Sequence, residues 1–296
     1  MTGALTDRLA TALPSGENRV GYLLALSRPR FWLYLAGPVI IGVTYAADSS
    51  AELFAPVAIG LFAYFLVPAN VFLYGVNDAF DADVDEHNPK KDDESGKEVR
   101  FQRDPVVLSV IALSGVLAVA FVPVLPTVAL LAFGAWTVLA VEYSAPPARF
   151  KTTPLLDSLS NGLYILPAVV AYAAIDGRLP PTLAIVGAWL WTMGMHTFSA
   201  IPDIEPDREA GIRTTATVLG ERRTYYYCGA CWLAAAVTFG TVHWVFGAVL
   251  GLYPVLVFGI MWAGVDVHEA YWWYPAINTA VGTAVTLLGL WVMLYG

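Results

Sequence analysis

The sequence predicts an all-α integral membrane protein with nine transmembrane helices and a cytoplasmic N-terminus. Three observations carry that prediction. First, of 296 residues, 57% are apolar and only 14% are charged. A soluble domain has about 25% charged residues with which to coat its surface. Second, the charges are clustered, leaving uncharged runs at 31–47, 53–77, 105–141, 158–175, 179–202, 224–265 and 270–296. Third, fifteen of the sixteen Lys and Arg fall in alternate connecting pieces. This composition excludes a soluble enzyme, a nucleic-acid binder and a secreted disulfide scaffold.

Residues 1–30 read as a cytoplasmic N-terminal segment and 31–296 as a single membrane domain. Arg8, Glu17 and Arg19 precede any apolar stretch, which is not the pattern of a signal peptide, so the first span itself is expected to anchor the chain. A crossing of the ~30 Å hydrocarbon layer takes roughly 20 apolar residues. Five runs fit one crossing each, whereas 105–141 and 224–265 are about twice too long and must fold back. Pro123 and Pro126 mark one expected reversal, and Gly247 and Gly251 the other. Cytoplasmic pieces are then 1–30, 77–104, 142–157, 203–223 and 266–269, and only Arg178 lies outside them. Such asymmetry is the positive-inside signal. Cys228 and Cys231 sit three apart in an apolar helix and read as packing residues. The net charge of −8, with twelve Arg and four Lys, suits a salt-rich cytoplasm.

Three cytoplasmic pieces carry the chemistry. In Asn77-Asp78-Ala79-Phe80-Asp81-Ala82-Asp83-Val84-Asp85, residues Asn77, Asp81 and Asp85 share one face of a helix continuing from the second span. Asp78 borders that face and Asp83 points away. Clustered carboxylates repel one another, and a hard divalent cation such as Mg²⁺ offsets that repulsion. A solvated acidic loop is the simpler reading of Asp92, Asp93, Glu94 and Glu98, but it does not account for the four-residue spacing. The second piece is Asp203-Ile204-Glu205-Pro206-Asp207-Arg208-Glu209-Ala210-Gly211, in the matching position four spans later. Asp203 and Asp207 share a face there, with Pro206 expected to kink or restart the helix. The third is Tyr143-Ser144-Ala145-Pro146-Pro147-Ala148-Arg149-Phe150-Lys151, whose double proline predicts an extended turn. Its cations alone are equally consistent with setting topology. Two acid clusters beside fixed Arg and Lys describe a site for a diphosphate.

On these motifs and the nine spans, the chain resembles the UbiA family of intramembrane prenyltransferases over nearly its whole length. The resemblance implies a UbiA-type helical bundle in the cell membrane with its active site at the cytoplasmic side. It implies that Asn77, Asp81, Asp85, Asp203 and Asp207 hold Mg²⁺, with Asp78 adjoining. Tyr143, Arg149 and Lys151 would contact the diphosphate of a prenyl donor, helped by Arg28 or Arg30. The donor's allylic cation calls for a dry aromatic pocket, for which Phe72, Tyr74, Phe80 and Trp189 are candidates, although each reads equally as helix packing. The acceptor is a hydrophobic molecule dissolved in the bilayer. The first motif continues Glu86-His87-Asn88-Pro89-Lys90-Lys91, which is similar to the lycopene elongases of salt-loving archaea. That likeness implies transfer of a dimethylallyl group to lycopene with hydration, as in the making of fifty-carbon carotenoids such as bacterioruberin. His196 is a candidate to take up or position the proton released by that water, though a buried histidine with no chemical role fits as well. A quinone precursor, a glycerolipid phosphate or a chlorin is the alternative acceptor. A cation transporter is the remote alternative, disfavoured because the acids lie at the membrane edge rather than its midplane.

Helical phase makes a prediction. Asp81→Ala abolishes turnover with the protein still folded in detergent, while Asp83→Ala, on the opposite face, is mild. Equal loss in both variants, measured as rate per folded protein, rules out the shared face.

Overall fold

The computed structural model describes residues 19–81, 101 and 103–295, and every regular element among them is helical. Each of the expected apolar runs is helix. The elements used below are α1 (Arg19–Leu26), α2 (Trp32–Ala46), α3 (Pro56–Leu66), α4 (Pro68–Asp81), α5 (Pro105–Val116), α6 (Thr127–Glu142), α7 (Leu166–Asp176), α8 (Thr182–Ser199), α9 (Ile204–Glu209), α10 (Thr215–Leu219), α11 (Glu221–Val242), α12 (Trp244–Leu250), α13 (Leu252–Ala263) and α14 (Val267–Tyr295). Four stretches, Ser50–Asp81, Leu156–Asp176, Trp244–Ala263 and Val267–Tyr295, are each long and apolar enough to cross a membrane. The others are shorter, interrupted or, like the 22-residue α11, less apolar. Large apolar side chains such as Leu131, Val237 and Trp291 point outward, a surface that water would oppose and a bilayer covers.

Local chemistry sets the helix ends. Asp104 accepts a hydrogen bond from the Val106 N–H at 2.7 Å and caps α5 ahead of Pro105. That bond, with the nearby Arg19 guanidinium, holds its carboxyl below the usual carboxylate range. Thr214 and Thr217 close a reciprocal capping box on α10. Gly177 and Gly264, both at positive φ, end α7 and α13. The first expected reversal is found between Phe121 and Thr127, with Pro126 at the start of α6. The second is not at Gly247 and Gly251. The chain turns at His243, which is extended (φ −157°, ψ 130°) and whose imidazole accepts from the Val245 N–H at 3.3 Å to cap α12. Gly247 instead lets the two antiparallel helices touch, since a Cβ there would lie 2.8 Å from the Gly240 Cα.

Two cores divide the bundle. One gathers residues of α2, α3, α4, α6 and α7 around Tyr64, Phe65, Phe133 and Trp136. The other gathers residues of α8, α11, α13 and α14 around Phe198, Trp232, Tyr253 and Tyr274, with Phe198 and Tyr274 rings 4.5 Å apart. Cys228 and Cys231 are unpaired thiols in the second half, Cys228 fully buried in its core, as expected of packing residues. The N-terminal α1 is not a free tail: Tyr22 and Leu26 pack on Val71, Val107 and Ile111 of α4 and α5.

Backbones come closest at Gly42 of α2, where an added Cβ would sit 2.2 Å from the Ala168 carbonyl oxygen. That neighbour is backbone and cannot yield. Gly42→Val is therefore expected to cost at least about 1–3 kcal/mol, read as a lowered melting temperature in detergent. Gly37→Ala, with nothing within 4 Å, is expected to leave it unchanged or slightly raised.

Candidate active site

The first motif ends α4, and its acids are already paired. Asp78 is 2% exposed and accepts from Arg28 Nη2 at 3.0 Å. Asp81, the last residue of α4, binds Lys151 Nζ and, at 3.2 Å, Arg149 Nη2. Asn77 donates toward Asp78 at 3.4 Å and accepts the Ser144 hydroxyl at 2.6 Å. The first and third motifs thus form one connected array of two carboxylates, an amide, a hydroxyl and three cations. Asp85 and Asp83 lie outside the described residues.

Two arginines in this array sit in left-handed backbone, Arg28 at φ 50° and Arg149 at φ 42°. Each precedes a single turn of 3₁₀ helix, Pro29–Phe31 and Phe150–Thr152, with a second cation two residues on, Arg30 and Lys151. Non-glycine residues in this region cost of order 1–3 kcal/mol, and such positions cluster where surrounding structure over-determines them. The strain here aims the side chains. Arg28 stacks on the Tyr74 ring at 4.6 Å while reaching Asp78. Arg149 Nε is buried with no hydrogen-bond partner, leaving a cationic N–H that calls for an oxyanion. Arg30 faces away from the acids, stacked on Trp272 at 3.6 Å and bonded to its carbonyl at 2.8 Å.

The double proline does not extend the chain. The segment folds as a compact turn in which Arg149 N–H bonds to the Ala145 carbonyl and Lys151 N–H to the Tyr143 carbonyl, each at 3.0 Å. The Pro146–Pro147 peptide is cis. This turn, not an extended strand, carries Arg149 and Lys151 back over the end of α4. The Tyr143 ring meets His196 edge-on at 5.9 Å.

Asp203 ends a 3₁₀ turn after α8 and precedes α9, which contains Pro206 within its first turn. The expected restart at Pro206 is therefore seen. Past Gly211 (φ 72°), the Ile212 N–H returns to the Asp207 carbonyl at 2.8 Å. Arg208 folds back to the Thr217 carbonyl at 2.9 Å. His196 lies within the field of both Asp157 and Asp203, so it stands between the second and third motifs. Among the described residues, no three His, Cys, Asp or Glu side chains gather closely enough to hold a metal ion by themselves.

Ser144 and Thr215 lie in or just after the motifs without a role assigned from the sequence, and Asp157 escaped the sequence reading. Asp157, 1% exposed, accepts both the Thr215 N–H at 2.8 Å and the Thr215 hydroxyl. The Leu155 N–H, at positive φ, bonds to the same hydroxyl at 2.8 Å. This cluster ties the cationic turn to the loop of the second motif. The signal was an isolated acid at the start of an apolar run, a place where a solvated charge is unremarked. Of the aromatic candidates, Tyr74 lies under Arg28. Phe72 packs toward Trp136 at 6.1 Å, Trp189 covers Gly162, and Phe80 is 49% exposed.

Asp157→Ala would leave two buried donors of Thr215 unmet, costing about 1–3 kcal/mol. The expected outcome is a lower melting temperature in detergent and faster proteolysis after residue 203. Thr215→Val should give a similar but smaller loss.

Comparison with known proteins is unambiguous as to kind. The family model described as the UbiA prenyltransferase family matches residues 35–276. The chain is 67% identical over 98% of both chains to a "lycopene elongase/hydratase" of Haloarcula japonica. It is 66% identical, over 94% of this chain and 92% of the other, to a protein of the same name in Haloferax volcanii. Among solved structures, it is similar to a UbiA homolog from Archaeoglobus fulgidus bound to DMAPP and Mg²⁺, with TM-score 0.62 and 21% identity over 89% of this chain and 98% of that one.

Proposed function

Because the chain belongs to the UbiA prenyltransferase family, we propose that it transfers a dimethylallyl group from its diphosphate to lycopene, with hydration. The observation that carries the acceptor is the near full-length identity to relatives named for elongating and hydrating lycopene. Nothing in the geometry favours a quinone precursor, a glycerolipid phosphate or a chlorin over it.

The chemistry follows from the paired array. The donor's diphosphate is multiply charged, and Arg28, Arg149 and Lys151 are fixed cations at one mouth. They turn from carboxylates to phosphate oxygens when the donor enters, and the buried Arg149 Nε gains its acceptor. Asp81, freed from its cations, joins Asn77, Asp203 and Asp207 together with Asp85 in an all-oxygen donor set that would suit a hard divalent ion. Mg²⁺ held by these groups supplies electrostatic stabilisation of the leaving diphosphate when bound. The bond between the allylic carbon and the bridging oxygen then breaks with its electron pair going to the diphosphate. The cation left behind faces Tyr74 and Phe31, whose ring centroids are 6.4 Å apart. Aromatic faces stabilise a cation and keep bulk water away. A terminal double bond of lycopene attacks it, forming the new carbon–carbon bond and a tertiary cation on the acceptor, which water captures.

The reading also includes topology: nine crossings, N-terminus in the cytoplasm, residues 31–296 as one membrane domain and the site at the cytoplasmic face. The distribution of Lys and Arg supports that orientation.

Expression in a lycopene-accumulating bacterial host tests the function. The extracted pigment should gain one or two five-carbon units and water. Asp203→Ala should leave the lycopene unchanged, a loss of at least about a hundredfold, and chelation of divalent ions in isolated membranes should stop turnover until Mg²⁺ is restored. Folded protein that leaves lycopene untouched but prenylates 4-hydroxybenzoate would overturn the acceptor.

A further inference from the structure

Where Tyr34 of α2 meets the edge of the second core lies a chain of polar groups that the array above does not use. Tyr253 donates its hydroxyl to Asn278 Oδ1 at 2.7 Å, and Asn278 Nδ2 donates to the Tyr34 hydroxyl at 3.2 Å. The second amide proton is left near the Met195 sulfur at 3.8 Å. Beside them the Trp191 indole N–H is buried without a hydrogen-bond partner, its ring edge-on to that of Tyr253 at 5.7 Å. Buried amides and indoles in an apolar bundle are costly, and a buried indole N–H left without an acceptor beside other polar groups is a setting in which an ordered water completes the bonding.

We propose that Tyr34, Asn278, Tyr253 and Trp191 hold the water that hydrates the acceptor. The inference rests on the lycopene reading above and assigns the hydration half of it to residues. Position supports it. The acceptor's tertiary cation forms one carbon beyond the new bond, so the capturing water must sit in the layer directly beneath the diphosphate. Tyr34 occupies that layer: its ring lies 5.3 Å from Phe31 and 6.2 Å, edge-on, from Tyr164. The Phe31 ring is in turn 6.4 Å from that of Tyr74, over which Arg28 is stacked. The Tyr34 oxygen has a second lone pair to accept a proton from the water and so to aim the water's oxygen at the cation.

The step balances. A lone pair of the water oxygen forms the carbon–oxygen bond to the tertiary cation, giving an oxonium. Its proton passes to the Tyr34 oxygen as the Tyr34 hydroxyl gives up its own, and the diphosphate product is the base that finally takes the proton. Without the held water, the same cation loses a proton from the neighbouring carbon and becomes an alkene, so the elongated product is lighter by one water.

Wild type, Tyr34→Phe and Asn278→Leu, each shown folded by gel filtration in detergent, are compared for pigment mass in the lycopene host. The expected result is elongation within about threefold of wild type but a hydrated fraction reduced at least tenfold. Trp191→Phe should give a smaller shift in the same direction. In membranes supplied with heavy-oxygen water, label should enter the wild-type product and be lost in proportion in the variants. Hydrated product at the wild-type ratio in Tyr34→Phe and Asn278→Leu overturns the assignment, as does equal loss of both products. If wild type itself does not elongate lycopene, the acceptor reading has failed instead.

Discussion

Charge placed at the end of an apolar helix is tolerable only when it is neutralised nearby, and the pairing of Asp81 with Lys151 and Arg149 meets that condition. A buried carboxylate without its partner would cost several kcal/mol. Much of the surrounding backbone exists to satisfy it. The turn after α6 doubles back so that two cations arrive over the end of α4, and a strained arginine at each entry fixes where the guanidinium points. In the reaction proposed above, the same pairing would prepare the site, because cations held by carboxylates are already collected and oriented before a diphosphate arrives.

The rest of the molecule separates stability from chemistry. Each half has its own aromatic core, and besides apolar contacts such as Ile185, Ala188 and Trp189 of α8 against the first core, directional polar bonds cross between them: Tyr34 to Asn278, Tyr45 to the Val285 carbonyl at 2.7 Å, Arg30 to the Trp272 carbonyl, and Asp157 to Thr215. In hydrocarbon there is no water to compete for these groups, so a few directional bonds suffice to register the halves.

Membrane residence and the three motifs were legible because they are one-dimensional signals. An uncharged run, an i, i+4 acid pair and a row of cations can be read from spacing alone. The pairing of Arg28 with Asp78 was only half legible, since nothing in the chain announces a left-handed arginine. Ser144, Asp157 and Thr215 could not be read, because their partners are distant in sequence and each residue is ordinary by itself. His243 shows a different failure. Glycines looked like the breakers in 224–265, yet an extended histidine whose ring caps the next helix turns the chain, while the glycine serves close packing.

Separate cores have a mechanical result. Two bodies that each keep their own packing can shift slightly against one another without either one melting. Gly289 lies close against Thr44 and Tyr45, so a larger residue at that one position would wedge α14 away from α2 and force the halves apart.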